Sequence, residues 1–332
     1  MLVNKLKRIL LAILPILFIS GCTIFQKTTP KKTEKIQKDI IEVEKKPVNN
    51  KIDVKTTTFA SDIIMDKLNK DNENRYHCSR VNNLSQIETL DFDIAIIPAY
   101  QVTNIYSKTN ENIKLAAITA VNNIHIISDK QINSPKDMLG MTIMVPELNE
   151  SLNKLIDSKL GLLKSLMKIN TEFYSNQKDI LKNLENSENI IAILSEPYYS
   201  IALEGRSFYS FDLNKTISML PNSNSTGDFL SEVIIVNKKY LRDNKESFDR
   251  FLEEYKSAQQ SIDENFVLSQ RIINNYDITN EEATKIFKSI DHTFIDSDTM
   301  VGVYEIYMDK LENLDKNIFN GKRPTNDIYY KN

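Results

Sequence analysis

The chain contains no tryptophan and only seven glycines, three histidines and two cysteines in 332 residues. Scarce glycine excludes the phosphate-cradling loops. GxGxxG and GxxxxGK[ST] each need several glycines in a short space, and neither occurs. His77, His125 and His292 lie far apart in sequence. A metal centre built on histidine is therefore not expected, and neither is any cofactor. A net charge of −3 gives no concentrated basic face, so no nucleic-acid partner is expected. What remains is an ordinary globular composition, 41% hydrophobic and 26% charged. Its length exceeds what one core usually holds, which points to two lobes.

The first segment, 1–21, has a basic start at Lys5, Lys7 and Arg8. An apolar run from Ile9 to Ile19 follows, the length of a signal h-region and short for a membrane span. It ends Ile19-Ser20-Gly21-Cys22, which resembles the bacterial lipobox. The resemblance implies cleavage before Cys22 and lipid on its sulfur, hence stable anchoring outside the cytoplasm. Cys78 would then be the sole thiol of the folded part, and one thiol makes no internal disulfide. Residues 22–51, rich in Lys, Thr, Pro and Glu, read as a disordered tether.

Two stretches share one layout. Ile190-Ile191-Ala192-Ile193-Leu194 is an apolar run of strand length, followed by Ser195-Glu196-Pro197-Tyr198-Tyr199. Asp91-Phe92-Asp93-Ile94-Ala95-Ile96-Ile97 is followed by Pro98-Ala99-Tyr100. Each reads as a buried strand passing directly into a helix, with proline in the first turn. In open α/β sheets ligands sit at such junctions. Ile52–Thr58 alternates like a strand and leads into a helix with apolar residues at 60, 63, 64 and 68. The hydroxyls at that turn fit either a ligand or a helix cap. Residues 71–90 suggest only a short helix. From about 125 to 220 the order βαβαβαβ implies a largely parallel sheet covered by helices. A strand is expected at Ser231–Asn237. A core-facing stripe at 248, 251, 252, 255, 262 and 266 and a capping box at Thr279-Asn280-Glu281-Glu282 mark two later helices. The last helix is expected near Met308–Leu314, and residues 319–332 read as a frayed tail.

In order and spacing, four segments resemble the solute-binding proteins of bacterial ABC importers. They are Asp91–Ala99, Ile132-Asn133-Ser134-Pro135-Lys136-Asp137-Met138-Leu139-Gly140-Met141-Thr142-Ile143, Ser195-Glu196-Pro197, and Glu232–Leu241. Within that class the chain is similar to the NMT1/THI5-like group, which includes nitrate, taurine, alkanesulfonate and thiamine-precursor binders. Met141 replaces the lysine that usually follows the glycine. The resemblance implies an α/β, two-lobe type II periplasmic-binding fold with two crossover hinge strands, near Asn122–Ile127 and Glu232–Val236. Lobe 1 would be 52–122 plus 232–318, and lobe 2 would be 123–231.

Carried over residue by residue, the ligand contacts would be Thr57, Thr58 and Phe59; Pro98, Ala99 and Tyr100; Asn122 and Asn123; Asn149, Glu150 and Ser151; and Ser195, Glu196 and Tyr198. No residue is assigned a catalytic role. Glu147, Glu150 and Glu196 favour a cationic or neutral hydrogen-bonding ligand, such as a thiamine-precursor-like heterocycle or an amine. The alternative role of Glu147 and Glu150, and the commoner one, is as first-turn acids that stabilise a helix dipole. The expected partners are a small solute, a permease–ATPase pair and the membrane through lipid on Cys22, with the chain itself a monomer. Two other readings stand beside this one. One is a surface sensor or adhesin lipoprotein that kept the fold but lost the transported solute; the other is an enzyme of the pyrimidine-precursor type.

Overall fold

The computed structural model describes residues 51–331, apart from 74, 83, 147–166, 206, 212–228, 315–318 and 320–322. The signal segment, Cys22, nearly all of the tether, and the expected contacts Asn149, Glu150 and Ser151 lie outside the described residues.

The first sheet begins with β1 (Ile52–Thr56), which pairs in parallel with β2 (Tyr76–Arg80) and β3 (Ile94–Pro98). β4 (Ile113–Val121) joins through β10 (Leu230–Asn237), which runs antiparallel to both β3 and β4. β11 (Asp291–Asp296) closes the far edge, giving the order β11-β4-β10-β3-β1-β2. The second sheet has the order β7-β6-β8-β5-β9. β6 (Thr142–Pro146) lies parallel to β7 (Asn170–Tyr174) and β8 (Ile190–Leu194). β5 (His125–Ser128) runs antiparallel to both β8 and β9 (Tyr209–Phe211). This second sheet is therefore mixed, and its antiparallel half departs from the parallel pattern expected from element order.

Strand alternation explains the layering. On β3, Ile94 and Ile96 enter one core while Ala95 and Ile97 enter the other, because successive side chains point to opposite faces. The first core is covered by α1 (Phe59–Asp71), α7 (Lys245–Ser261), α8 (Gln270–Tyr276) and α9 (Asn280–Ser289). The second is covered by α3 (Val102–Lys108) and α10 (Ser297–Leu314). Strands buried on both faces read as continuous apolar runs, which is why β3 and β10 are conspicuous in sequence. α2 (Ser85–Glu88) and α6 (Lys238–Asp243) are short. Across the second sheet lie α4 (Gln177–Leu184) and α5 (Tyr198–Gly205).

Several expectations are corrected. β2, within the stretch expected to hold only a short helix, is the return strand that a parallel β–α–β unit requires after α1. β11 precedes the last helix, which starts at Ser297 rather than near Met308. The apolar stripe outruns its helix, since α7 ends at Ser261 and Ile262 packs beyond it. The segment from Arg323 is no frayed tail. Ile328, Tyr329 and Tyr330 are buried, the Tyr330 N–H donates to the Leu115 carbonyl at 2.8 Å, and Arg323 pairs with Glu305, Asp309 and Glu312.

The first passage between sheets is short: β4 ends at Val121 and β5 begins at His125. Asn122 adopts φ +54°, a left-handed conformation that asparagine tolerates better than most residues. β10 is flanked by β3 and β4, so Glu232–Val236 lies within the first sheet and is not a crossing strand between the sheets. The first passage is laced to the residues that open β10. The Asn122 N–H donates to the Phe229 carbonyl at 2.8 Å, and the Phe229 N–H donates to Asn122 Oδ1 at 3.0 Å. The Asn123 N–H donates to Ser231 Oγ at 2.8 Å.

Candidate ligand-binding seam

The parallel strands β1, β2 and β3 all end on one edge of the first sheet, so Thr57, Arg80 and Pro98 emerge there together. Thr58 is the N-cap of α1: its hydroxyl accepts the Ser61 N–H at 3.2 Å, while Ser61 Oγ accepts the Thr58 N–H at 3.3 Å. This reciprocal capping satisfies two otherwise orphaned donors. Thr57 Oγ1 donates to the Ile96 carbonyl at 3.0 Å, tying the turn to β3. Phe59 is 2% exposed and meets the Tyr276 ring edge-on at 4.9 Å, so it packs in the core beneath the turn. Ala99 is wholly buried, and its carbonyl accepts from the Tyr304 hydroxyl at 3.3 Å. Tyr100 is half-buried; burial pushes its phenol up to about 12, and it interacts with Tyr307 of α10.

Two buried carboxylates, Asp62 and Glu232, lie under this edge. Asp62 accepts from Thr56 Oγ1 at 2.5 Å, from Arg80 Nη1 at 2.5 Å and from the Tyr276 hydroxyl at 2.7 Å. The Arg80 guanidinium lies 4.9 Å from the Tyr276 ring centre. Burial alone would lower Arg80; Tyr276 and Asp62 outweigh it and hold the cation above its ordinary value. Glu232, 2% exposed on β10, accepts from Thr58, from Thr119 Oγ1 at 2.7 Å and from Tyr255 at 3.3 Å. Its pKa is raised, because burial outweighs those three hydroxyls and Asp62 adds like-charge repulsion.

From the second sheet, Ser195 is gripped at both ends by Gln177. Its N–H donates to Gln177 Oε1 at 2.8 Å, and its Oγ accepts from Gln177 Nε2 at 2.8 Å. The Glu196 N–H donates to Asn123 Oδ1 at 3.0 Å, fastening this turn to the first passage. Glu196 is 5% exposed, and the Glu196–Pro197 peptide is cis. Its carboxylate accepts from the Ser200 hydroxyl at 2.9 Å and from Ser289 of α9 at 3.4 Å. Burial raises its pKa despite these bonds.

The two sheets meet through these groups. Besides Glu196 and Ser289, Tyr198 of α5 lies 6.3 Å from Tyr276 of α8, ring centre to ring centre. Burial raises the Tyr198 phenol, and Arg80 and Asp62 act on it across the seam. Lys178 Nζ donates to the Asn275 carbonyl at 2.7 Å. Thr57, Thr58, Asn122, Asn123, Ser195, Glu196 and Tyr198 thus gather along one seam with Arg80, Glu232 and Tyr276. Sequence reasoning missed those last three. Their signal was weak: Arg80 ends a polar strand, and Glu232 opens an apolar one. Among the described residues no cluster of His, Cys, Asp and Glu has the arrangement of a metal site, and no helix is long and apolar enough to cross a membrane.

Residues 80–265 match the family model described as NMT1/THI5 like. The chain belongs to the NMT1/THI5-like family. Comparison with curated proteins gives no match. Solved structures place this NMT1/THI5-like chain in the periplasmic-binding fold. An ABC transporter protein from Parabacteroides distasonis is 17% identical with a TM-score of 0.59, over 85% of this chain and 99% of that one. The ligand-binding component of an ABC-type import system from Staphylococcus aureus, with zinc bound, is 14% identical with a TM-score of 0.56, over 84% and 96%. The periplasmic aliphatic sulphonate binding protein SsuA from Escherichia coli is 14% identical with a TM-score of 0.54, over 84% and 90%.

Proposed function

We propose that this NMT1/THI5-like protein is the extracytoplasmic solute-binding component of an ABC importer, held to the membrane by lipid on Cys22. It captures a small polar solute between its two lobes and hands it to a permease–ATPase pair, without chemical change to the solute. The observation that carries this reading is the seam itself. Strand-end turns of two separate sheets, joined by the short passage at Asn122 and Asn123, bring polar side chains from both sides to one place. Such an arrangement lets two rigid bodies hinge and enclose a ligand.

Burial of Glu196 and Glu232 supports a solute rich in hydrogen-bond donors, an amine or a thiamine-precursor-like heterocycle. A lobe boundary at 122/123, the ligand contacts of the turns, and the monomeric state belong to the same proposal. The test is thermal stabilisation of the purified full-length protein against thiamine precursors, amines, sulfonates and nitrate. A shift of several degrees with one class supports the reading, because a solute that binds only the native state raises its stability. The same solute should then stimulate ATP hydrolysis by the reconstituted permease–ATPase pair. Silence across every class overturns it.

A further inference from the structure

At the turn after β1, the side-chain hydrogen-bond donors are already committed within the protein. The Thr57 hydroxyl is committed to the Ile96 carbonyl at 3.0 Å, and the Thr58 hydroxyl to Glu232. The Arg80 guanidinium is turned toward Asp62 at 2.5 Å and toward the Thr57 and Thr58 carbonyls at 3.4 Å. Neither hydroxyl therefore has a proton left for a solute, since each O–H has a single proton to give, and the Thr58 oxygen itself accepts the Ser61 N–H at 3.2 Å.

The two carboxylates on this side differ in one respect. Asp62 has a cation, Arg80, in direct contact. Glu232 has only the hydroxyls of Thr58, Thr119 and Tyr255, and no lysine or arginine among the described residues forms an ion pair with it. A buried carboxylate without a counter-charge is costly, and hydroxyls alone do not replace one. Both features have the same consequence for what can bind. A sulfonate, phosphate or nitrate would find no free hydroxyl proton at this turn and, beneath it, a carboxylate without a counter-charge. An ammonium or a protonated N–H heterocycle would need no donor from the turn and would supply the absent charge.

We propose that Glu232 is the specificity-determining residue of the seam: it takes up the Thr58 hydroxyl proton and, as a carboxylate without a counter-charge, makes the site select cationic solutes over anionic ones. This rests on the solute-binding reading above and names the charge of the solute. Glu232 acts through Thr58 and through its field rather than by touching the solute, so it is a positioning residue. The charged and titratable groups around it are Asp62 on α1, Tyr255 on α7, and, beyond them, Arg80 and Cys78 on β2.

The experiment uses the full-length protein and solutes matched except in charge: n-butylammonium with n-butanesulfonate, and ethanolammonium with isethionate. Titration calorimetry on wild type and Glu232→Gln reads the ratio of cation to anion affinity. Gln keeps the volume and the acceptor oxygen for Thr119 and Tyr255 while removing the charge. Wild type is expected to bind the ammonium member of each pair, with affinity tightening as pH rises and Glu232 loses its proton. In Glu232→Gln the ratio should fall by about tenfold or more and its pH profile flatten. The inference is overturned if wild type binds the sulfonates as well as the amines, if it binds no amine, or if the ratio is unchanged in the variant. Should Glu232→Gln fail to fold, Glu232→Asp must keep the cation preference, and a flat wild-type pH profile overturns the proposal by itself. Binding of a neutral or anionic solute alone leaves the receptor reading standing and removes this one.

Discussion

Asp62 and Arg80 show how strongly a single position can be constrained. Asp62 has no exposed surface, and three donors converge on its carboxylate. Removing one partner of a buried, hydrogen-bonded pair strands the other, at about 3–5 kcal/mol. Asp62→Asn is therefore expected to lower the denaturant midpoint by a corresponding amount, with the slope of the transition unchanged. Glu232 behaves differently with pH. Its folded pKa lies above the unfolded value, so the native state holds the extra proton in the interval between them. Stability is then highest below the unfolded pKa and falls as pH rises through the folded one. Glu196 has the same sign. Glu232→Gln should lose part of this decline, seen as a melting temperature that drops less steeply than wild type from mildly acidic to mildly alkaline pH.

Among the elements, the C-terminal strap repays attention because composition alone gives it nothing to hold. Tyr329 bridges in parallel to Leu115 at the start of β4, and its hydroxyl donates to Glu305 at 2.5 Å. Lys114 and Lys238 both reach Asp327, and Tyr330 bonds Asp249 on α7. Burying a large side chain contributes about 1.5–3 kcal/mol, offset in part by the ordering of the strap. Deleting residues 323–332 should cost about 3–5 kcal/mol, measured by chemical unfolding. A truncation that leaves the midpoint unmoved would mean that the strap adds nothing. α1 and α9 show the opposite case, where local chemistry suffices. Thr58 with Ser61, and Thr279 with Glu282, form capping boxes. The Thr279 box was legible as a motif. The Thr58 box was one of two open roles for those hydroxyls, because Ser at the third position is a weaker cue than Glu.

For the whole molecule, the decisive contacts are those between the two sheets. Tyr198 packs against the first core beside Tyr276 while also covering the second sheet. Lys178 and Ser289 add two polar contacts across the seam. Tyr198→Ala removes the largest of these groups and leaves both sheets intact. The solute-free variant is expected to open about the Asn122–Asn123 passage, giving a larger radius of gyration by small-angle scattering. An unchanged value would show that the passage alone fixes the angle between the lobes.

The sequence by itself determined the strands buried on both faces, the capped helix starts and the α/β class, because each is written in neighbouring residues: apolar runs, cap residues and proline. It also marked the turns at 57–59, 98–100 and 195–198 as strand ends. Only the tertiary structure decided which of those residues face one another. Phe59 and Ala99 turned inward because their strands and helices are covered on that side, and a turn residue carries no local sign of which way it will face. Arg80 and Glu232 became parts of the seam only once β2 returned beside β1 and β10 inserted between β3 and β4. Those pairings join residues more than twenty and more than a hundred positions apart, and no local pattern encodes a partner at that distance.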